Sequence, residues 1–407
     1  MELEIYQNIL IMVLITTFVM GWVVNKTDFC TMGAVSDWIN MGSTLRLRSW
    51  ALAICCAILV TTILSYLELI DMSLAESNDT SSPPYNTPMF AWSRYILGGF
   101  IFGVGMTIGS GCGNKTLVRI GGGNLKSIVI LIAMAVGAYL MIFTNFGYDV
   151  FLQWTSSSDI DLTDFNMDSQ DLGAFTSAVL SSDPHNNKII IGFLLSIAGL
   201  WYLFSSKDFR SDKHVLSSGI VIGMCVAIIW YLTAGSMGQE LLEEAEMIDE
   251  IPYGLGAQSL TFTSPPAHLV QLIDTGFDLV YLTLPLIAGT GILLGSLAYS
   301  AISKSFHIEW FNSLTDFINH IVSGFLMGVG GVLAMGCSVG QGITGVSTLS
   351  LGSFLALGSI IFGSALTMKV RYYKLVYEDE ANLLTAILAS LADMKLIPNK
   401  WRFLDRV

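Results

Sequence analysis

Charge is scarce in this sequence. Only 13% of its 407 residues are Asp, Glu, Lys or Arg, against about 25% in soluble globular proteins, which excludes an ordinary soluble domain. No cleaved secretory leader is expected either. The first apolar run, "IYQNILIMVLITTFVMGWVV", follows Met-Glu-Leu-Glu with no basic n-region and no A-x-A cleavage site, so it reads as a retained span. None of the six cysteines (Cys30, Cys55, Cys56, Cys112, Cys225, Cys337) forms a C-x-x-C or lies in a long polar loop, which argues against a disulfide framework. A phosphate-binding G-x-x-x-x-G-K-[ST] is absent as well. "GSGCGNKT" comes nearest, but Asn114 stands before Lys115 where the motif needs glycine. The five histidines are scattered and receive no role, and no nucleic-acid partner is expected.

What is present is apolar. Residues of that kind make up 53% of the chain, and the mean hydropathy is +0.64. A hydrocarbon core about 30 Å thick takes roughly 20 apolar residues per helix. Runs of that length recur from Ile5 to Ala365 and predict about eight to ten spans in one all-α polytopic membrane protein. The net charge of −13 is unevenly spread. Acidic loops follow Leu69, run from Ser156 to Asp171, and lie between Gly238 and Pro252. Cations gather at Arg46 and Arg48, Lys207 to Lys213, Lys369 to Lys374 and the C-terminal tail. The positive-inside rule makes the basic loops cytoplasmic and the acidic ones external.

A repeat then appears. "GFIFGVGMTIGSGC" (Gly99 to Cys112) aligns without gaps on "GFLMGVGGVLAMGC" (Gly324 to Cys337), with seven of fourteen positions identical. The first copy is entered and left through acidic loops, the second through basic ones. That is the pattern of an inverted-topology repeat, whose broken helices build a central site. The expected organisation is a first repeat at 1–145, an acidic external loop with a linking helix at 146–214, a second, inverted repeat at 215–374, and a cytoplasmic amphipathic tail at 375–407. Helices are expected at about 5–24, 49–70, 127–145, 188–204, 215–235, 276–302 and 353–368.

Both copies run into glycine-rich polar stretches, "GSGCGNKTLVRIGGGN" and "MGCSVGQGITGVSTLSLGS". Unpaired backbone at membrane depth costs several kcal/mol per group, so such breaks belong beside a path and not against lipid. They are expected to be re-entrant loops leading into helix N-termini, where free N–H groups favour an anion. The expected path residues are Cys30, Cys112, Cys337, Gly111, Gly113, Asn114, Lys115, Gly336, Ser338 and Gln341. Lys115 and Arg119 are read equally as path or interface cations, and Lys126 as an interfacial anchor. Asp28 and Asp37, flanking Cys30, are read as interfacial caps. Cys55, Cys56 and Cys225 lie inside unbroken runs and are read as core. Three thiols in polar breaks suit a soft solute, since sulfur is polarizable and its S–H bonds are weak. By residue chemistry alone the solute is soft and anionic.

"TDFCTMGAVSDW", "GCGNKTLVRIGGGNLKS" and "GCSVGQGITGVSTLSLGS" resemble the three cysteine motifs of the YeeE/YedE family of sulfur-transport membrane proteins. The resemblance implies an hourglass-shaped protein, thiosulfate or a related sulfur anion as substrate, and Cys30, Cys112 and Cys337 as the relaying thiols. It also implies a cytoplasmic TusA-like sulfur-carrier partner. No cofactor, metal or enzymatic step is expected, and the expected location is the bacterial inner membrane, with the C-terminus cytoplasmic. Three other readings stay open: transport of a soft metal or selenium compound, a membrane sulfurtransferase working through a cysteine persulfide, and redox sensing by a Cys112–Cys337 disulfide.

Overall fold

A computed structural model describes residues 4–75, 85–247, 251–377, 382–402 and 404. Parts of the acidic loops after Leu69 and before Pro252, and of the C-terminal tail, therefore lie outside the described residues. The fold is helical: α1 (Glu4–Thr27), α2 (Thr31–Met41), α3 (Leu45–Tyr66), α4 (Trp92–Ile108), α5 (Gly113–Gly121), α6 (Lys126–Phe143), α7 (Leu172–Leu180), α8 (Pro184–Phe204), α9 (Lys213–Ala234), α10 (Ser236–Ala245), α11 (Pro265–Asp274), α12 (Leu284–Ile302), α13 (Leu314–Leu333), α14 (Leu351–Tyr377) and α15 (Leu383–Asp393). Among the described residues, nine helical segments are long and apolar enough to cross a membrane. The protein is an all-α, polytopic membrane protein.

Local chemistry sets the ends. Asp183 accepts from the Asn186 N–H and Pro184 opens α8, while Asp212 accepts from the N–H groups of His214 and Val215 at the start of α9. Two boundaries differ from the apolar pattern. The span expected at 49–70 is Leu45–Tyr66, because Glu68 takes φ 55° and the Leu69 N–H reaches back to the Leu64 carbonyl. The span expected at 276–302 starts only at Leu284. Pro285 lacks an N–H and is tolerated only in the first turn of the helix.

The acidic segment between α6 and α8 is ordered. Ile160–Asp161 pairs antiparallel with Met89–Phe90, Phe90 opposite Ile160. Asp171 caps α7 through the Ala174 N–H and pairs with Lys188 at 2.9 Å. At the other end of the chain, α15 packs on α14 through Ala386, Ala389 and Tyr373. Asp393 fastens it by accepting from the Tyr373 hydroxyl at 2.8 Å and pairing with Lys369 and Arg402.

The helices pair in a pattern that survives exchange of the two halves. α1 packs on α12 as α9 packs on α3, and α4 packs on α14 as α13 packs on α6. α4 and α13 meet at the centre. The repeated glycines make these contacts. A Cβ on Gly99 or Gly103 would fall 2.8 and 2.3 Å from the carbonyls of Ala356 and Ile360 on α14. Their counterparts Gly324 and Gly328 approach the carbonyls of Ile130 and Met134 on α6 equally closely, at 2.3 and 2.4 Å. Each pair is a G-x-x-x-G, the spacing that lets helix backbones approach in the absence of bulky side chains.

Candidate functional site

Three short stretches repeat one backbone device. A long helix ends, a residue adopts a left-handed turn, and a cysteine two positions later opens a new helix. The left-handed residues are Asp28 (φ 52°), Ser110 (φ 59°) and Met335 (φ 56°). Behind each, an N–H reaches back five residues to close the spent helix: Phe29 to Val24 (3.3 Å), Gly111 to Met106 (2.9 Å) and Gly336 to Gly331 (2.8 Å). Ahead of each, the cysteine carbonyl accepts the first bond of the next helix, from Ala34 (3.0 Å), Thr116 (2.9 Å) and Gln341 (2.7 Å). Cys30, Cys112 and Cys337 therefore occupy one structural position in three places. None of these three turn residues is glycine; the same left-handed stop ends α3 at Glu68, so what sets the three stretches apart is the cysteine that opens the next helix.

The new helices are α2, α5 and the segment from Ser338, whose turn Gly340–Gly345 is widened to π geometry. The polar stretches expected to be loops are thus largely helical. Several of their glycines serve close contact: a Cβ on Gly113 would lie 2.5 Å from the Phe262 carbonyl, and one on Gly342 would lie 2.3 Å from the Trp50 ring, whereas Gly123 (φ 96°) turns the chain after α5. Gly109–Cys112 and Gly122–Leu125 interrupt the first stretch, and Ala334–Cys337 and Thr348–Ser350 the second.

The three units converge. All three thiols are free and buried. Cys112 lies within electrostatic reach of both Cys30 and Cys337 and faces the Ser338 hydroxyl. The Thr31 hydroxyl, one residue past Cys30, donates to the Ser338 hydroxyl, one residue past Cys337, at 3.2 Å. Free N–H groups point at sulfur: Gly33 donates to Cys30 at 3.5 Å and Gly340 to Cys337 at 3.3 Å. Cys55, Cys56 and Cys225 sit mid-helix instead. Gly199 and Gly223 pass directly over Cys55 and Cys56, and the Cys225 thiol meets the Thr16 carbonyl.

The other expected path residues divide. Asn114 is buried and its Oδ1 has no hydrogen-bond partner, as expected of a group left open for a ligand. Gln341 braces the Cys337 turn: its amide donates to the carbonyls of Ala334 (2.7 Å) and Met335 (2.9 Å) and accepts from Ser353 (2.6 Å). Gly111 and Gly336 leave room for the stems of Lys115 and Gln341, whose Cγ atoms a Cβ would meet at 3.2 and 3.1 Å. Lys115 is paired with Asp28, which also binds Arg46 at 2.8 Å. Lys126 is held by Glu309 (3.1 Å) and Asp316 (3.2 Å) at a helix end, as an anchor is.

One wall escaped the sequence reading. Residues 257–264, "AQSLTFTS", form a buried irregular segment against the Cys337 turn. The Cys337 thiol contacts the Phe262 backbone and the Thr261 side chain, and the Thr344 hydroxyl donates to the Leu260 carbonyl at 2.9 Å. Its signal was a hydroxyl-rich run with neither charge nor helical period.

Two cavities open at helix ends. One of about 490 Å³ lies at the C-terminal end of α4 and is lined by Ser36, Thr107, Ser110, Lys369 and Arg371. Another, of about 250 Å³ at the C-terminal end of α3, is lined by Asp71, Asn86, Asp168, Asp171 and Lys188. A family model described as sulphur transport matches residues 26–366, a range that contains all three cysteine-capped helices. The chain belongs to this sulphur transport family. Two curated relatives of this YeeE/YedE-type chain carry the name thiosulfate transporter TsuA. The protein from Spirochaeta thermophila is 24% identical over 353 residues, covering 86% of this chain and 96% of its own. The Escherichia coli K12 protein is 24% identical over 357 residues, covering 86% and 91%.

Proposed function

We propose that this sulphur transport family member carries thiosulfate, or a closely related soft sulfur anion, across the bacterial inner membrane to the cytoplasm. The observation that carries the reading is the convergence of three free thiols at three helix starts. Each start offers N–H groups and the positive end of a helix dipole to an anion. The thiols offer weak S–H contacts that hold a terminal sulfur briefly and release it. The relatives named as thiosulfate transporters support the substrate. The reading involves no bond-making step, so it is transport and not catalysis.

Helix pairing that survives exchange of the halves supports an inverted repeat of 1–145 and 215–374 meeting at the cysteines; 146–214 is then an acidic external loop followed by a linking helix, and 375–407 a cytoplasmic tail. The Lys369–Arg371 cavity then opens to the cytoplasm, where a TusA-like carrier would receive the anion. Direction matters energetically. A dianion moving inward opposes roughly 4.6 kcal/mol per 100 mV, so net uptake needs a coupled ion, an outside excess or rapid consumption inside. A soft-metal cargo has less support: among the described residues no three His, Cys, Asp or Glu side chains are grouped to hold a metal ion.

The test is initial influx of radiolabelled thiosulfate into cells lacking their own uptake. At matched membrane abundance, Cys30→Ala, Cys112→Ala and Cys337→Ala lose influx, and Cys55→Ala and Cys225→Ala keep it. Absence of influx in the unmodified protein overturns thiosulfate as cargo.

A further inference from the structure

Beside the thiols lies a charge cluster that the transport reading leaves without a task. Lys115 stands three residues past Cys112, in the first turn of α5, and its side chain is only 10% exposed. It reaches the carboxylate of Asp28, the left-handed residue two positions before Cys30, which is 54% exposed. Arg46 grips the same carboxylate at 2.8 Å and Asp37 at 3.3 Å. Arg119 lies within electrostatic reach of Asp28 and donates to the Gly109 carbonyl at 3.4 Å.

We propose that Lys115, Arg46 and Arg119 form a second anion station beside Cys30 and Cys112, occupied at rest by the Asp28 carboxylate, which a small dianion displaces. The inference rests on the transport reading for its cargo, though not for its binding chemistry. Counting charges shows why displacement suits a dianion. Three cations face two carboxylates at rest, and withdrawing Asp28 leaves three against one, the complement of two negative charges. Asp28 is free to withdraw: it is the half-exposed partner, on a turn outside both helices, whereas Lys115 is fixed in the wall. The resident carboxylate also solves a release problem. An uncontested cation triad next to the thiols would hold the anion, while a carboxylate tethered at the site re-enters as the anion leaves and drives it toward water.

This makes Asp28 a positioning residue with opposed effects on binding and turnover. The probe is sulfate, a hard dianion with little affinity for thiols, titrated into purified full-length protein. Asp28→Asn is expected to bind sulfate on the order of tenfold more tightly, and Asp28→Glu to restore the original affinity. Lys115→Gln is expected to lose sulfate binding. In liposomes, Asp28→Asn lowers both KM and kcat for thiosulfate. Arg46→Gln supplies an independent arm, because it leaves Asp28 to Lys115 alone and weakens sulfate binding. An Asp28→Asn protein that binds sulfate no more tightly overturns the station. If that variant does not fold, unchanged sulfate affinity in Arg46→Gln does the same. If thiosulfate proves not to be the cargo, influx fails in every form while these sulfate affinities still change.

Discussion

The hydroxyl of Thr31 donates to the hydroxyl of Ser338 at 3.2 Å, joining two helices that begin 307 residues apart, each one residue past a cysteine. The bond locks the Cys30 and Cys337 caps together. A buried hydroxyl–hydroxyl bond contributes about 1 kcal/mol, and residues in contact couple. Thr31→Val and Ser338→Ala should therefore be non-additive in a double-mutant cycle of thermal unfolding, by about 0.5 kcal/mol or more. Additive losses would mean that the two caps are held independently.

The first turn of α5 has no room above Gly113, where a Cβ would stand 2.5 Å from the Phe262 carbonyl. Gly113→Ala should destabilise the protein by about 1–3 kcal/mol, since the obstruction is backbone. Gly358→Ala in α14 meets nothing within 4 Å and should be neutral or slightly stabilising. The melting temperatures of the two variants in detergent check this contrast directly.

Asp171 ties the segment between α6 and α8 to α8. Burial alone would raise its carboxyl, but the Lys188 ammonium, with further hydrogen bonds from Ala174 and Ser169, holds it below the ordinary carboxylate value. A depressed carboxylate contributes stability that is fully present above its unfolded pKa, near 3.9, and drains as pH falls through the lower folded value. The stability gap between wild type and Asp171→Asn should be constant near neutrality and close below about pH 4. Breaking this buried pair by Asp171→Asn should cost about 3 kcal/mol at pH 7. A gap that widens toward acid would contradict the assignment.

Legibility in the sequence followed range. The G-C repeat and the split among the cysteines could be read because glycines, polar residues and sulfur are adjacent in the chain. The common turn was hidden, since Asp28, Ser110 and Met335 share a backbone angle but no side-chain chemistry. Lys115 could not be assigned because its partner Asp28 lies 87 residues away. The helix after Cys337 was read as a loop because glycines that admit Trp50 and Tyr85 are indistinguishable, in one dimension, from glycines that bend a chain. The span expected at 276–302 is present from Leu284, its start set by the proline at 285 and not by hydropathy.

The central claim is that sulfur itself, at the cap of α5, handles the cargo. Cys112→Ser tests it most directly, because a hydroxyl keeps the size class and the capping ability while replacing soft sulfur with hard oxygen. Protein reconstituted in liposomes would be compared for initial uptake of radiolabelled thiosulfate, with melting temperature as the check on folding. The account predicts an intact fold and thiosulfate uptake reduced at least tenfold. Uptake equal to wild type in a folded Cys112→Ser protein would contradict it.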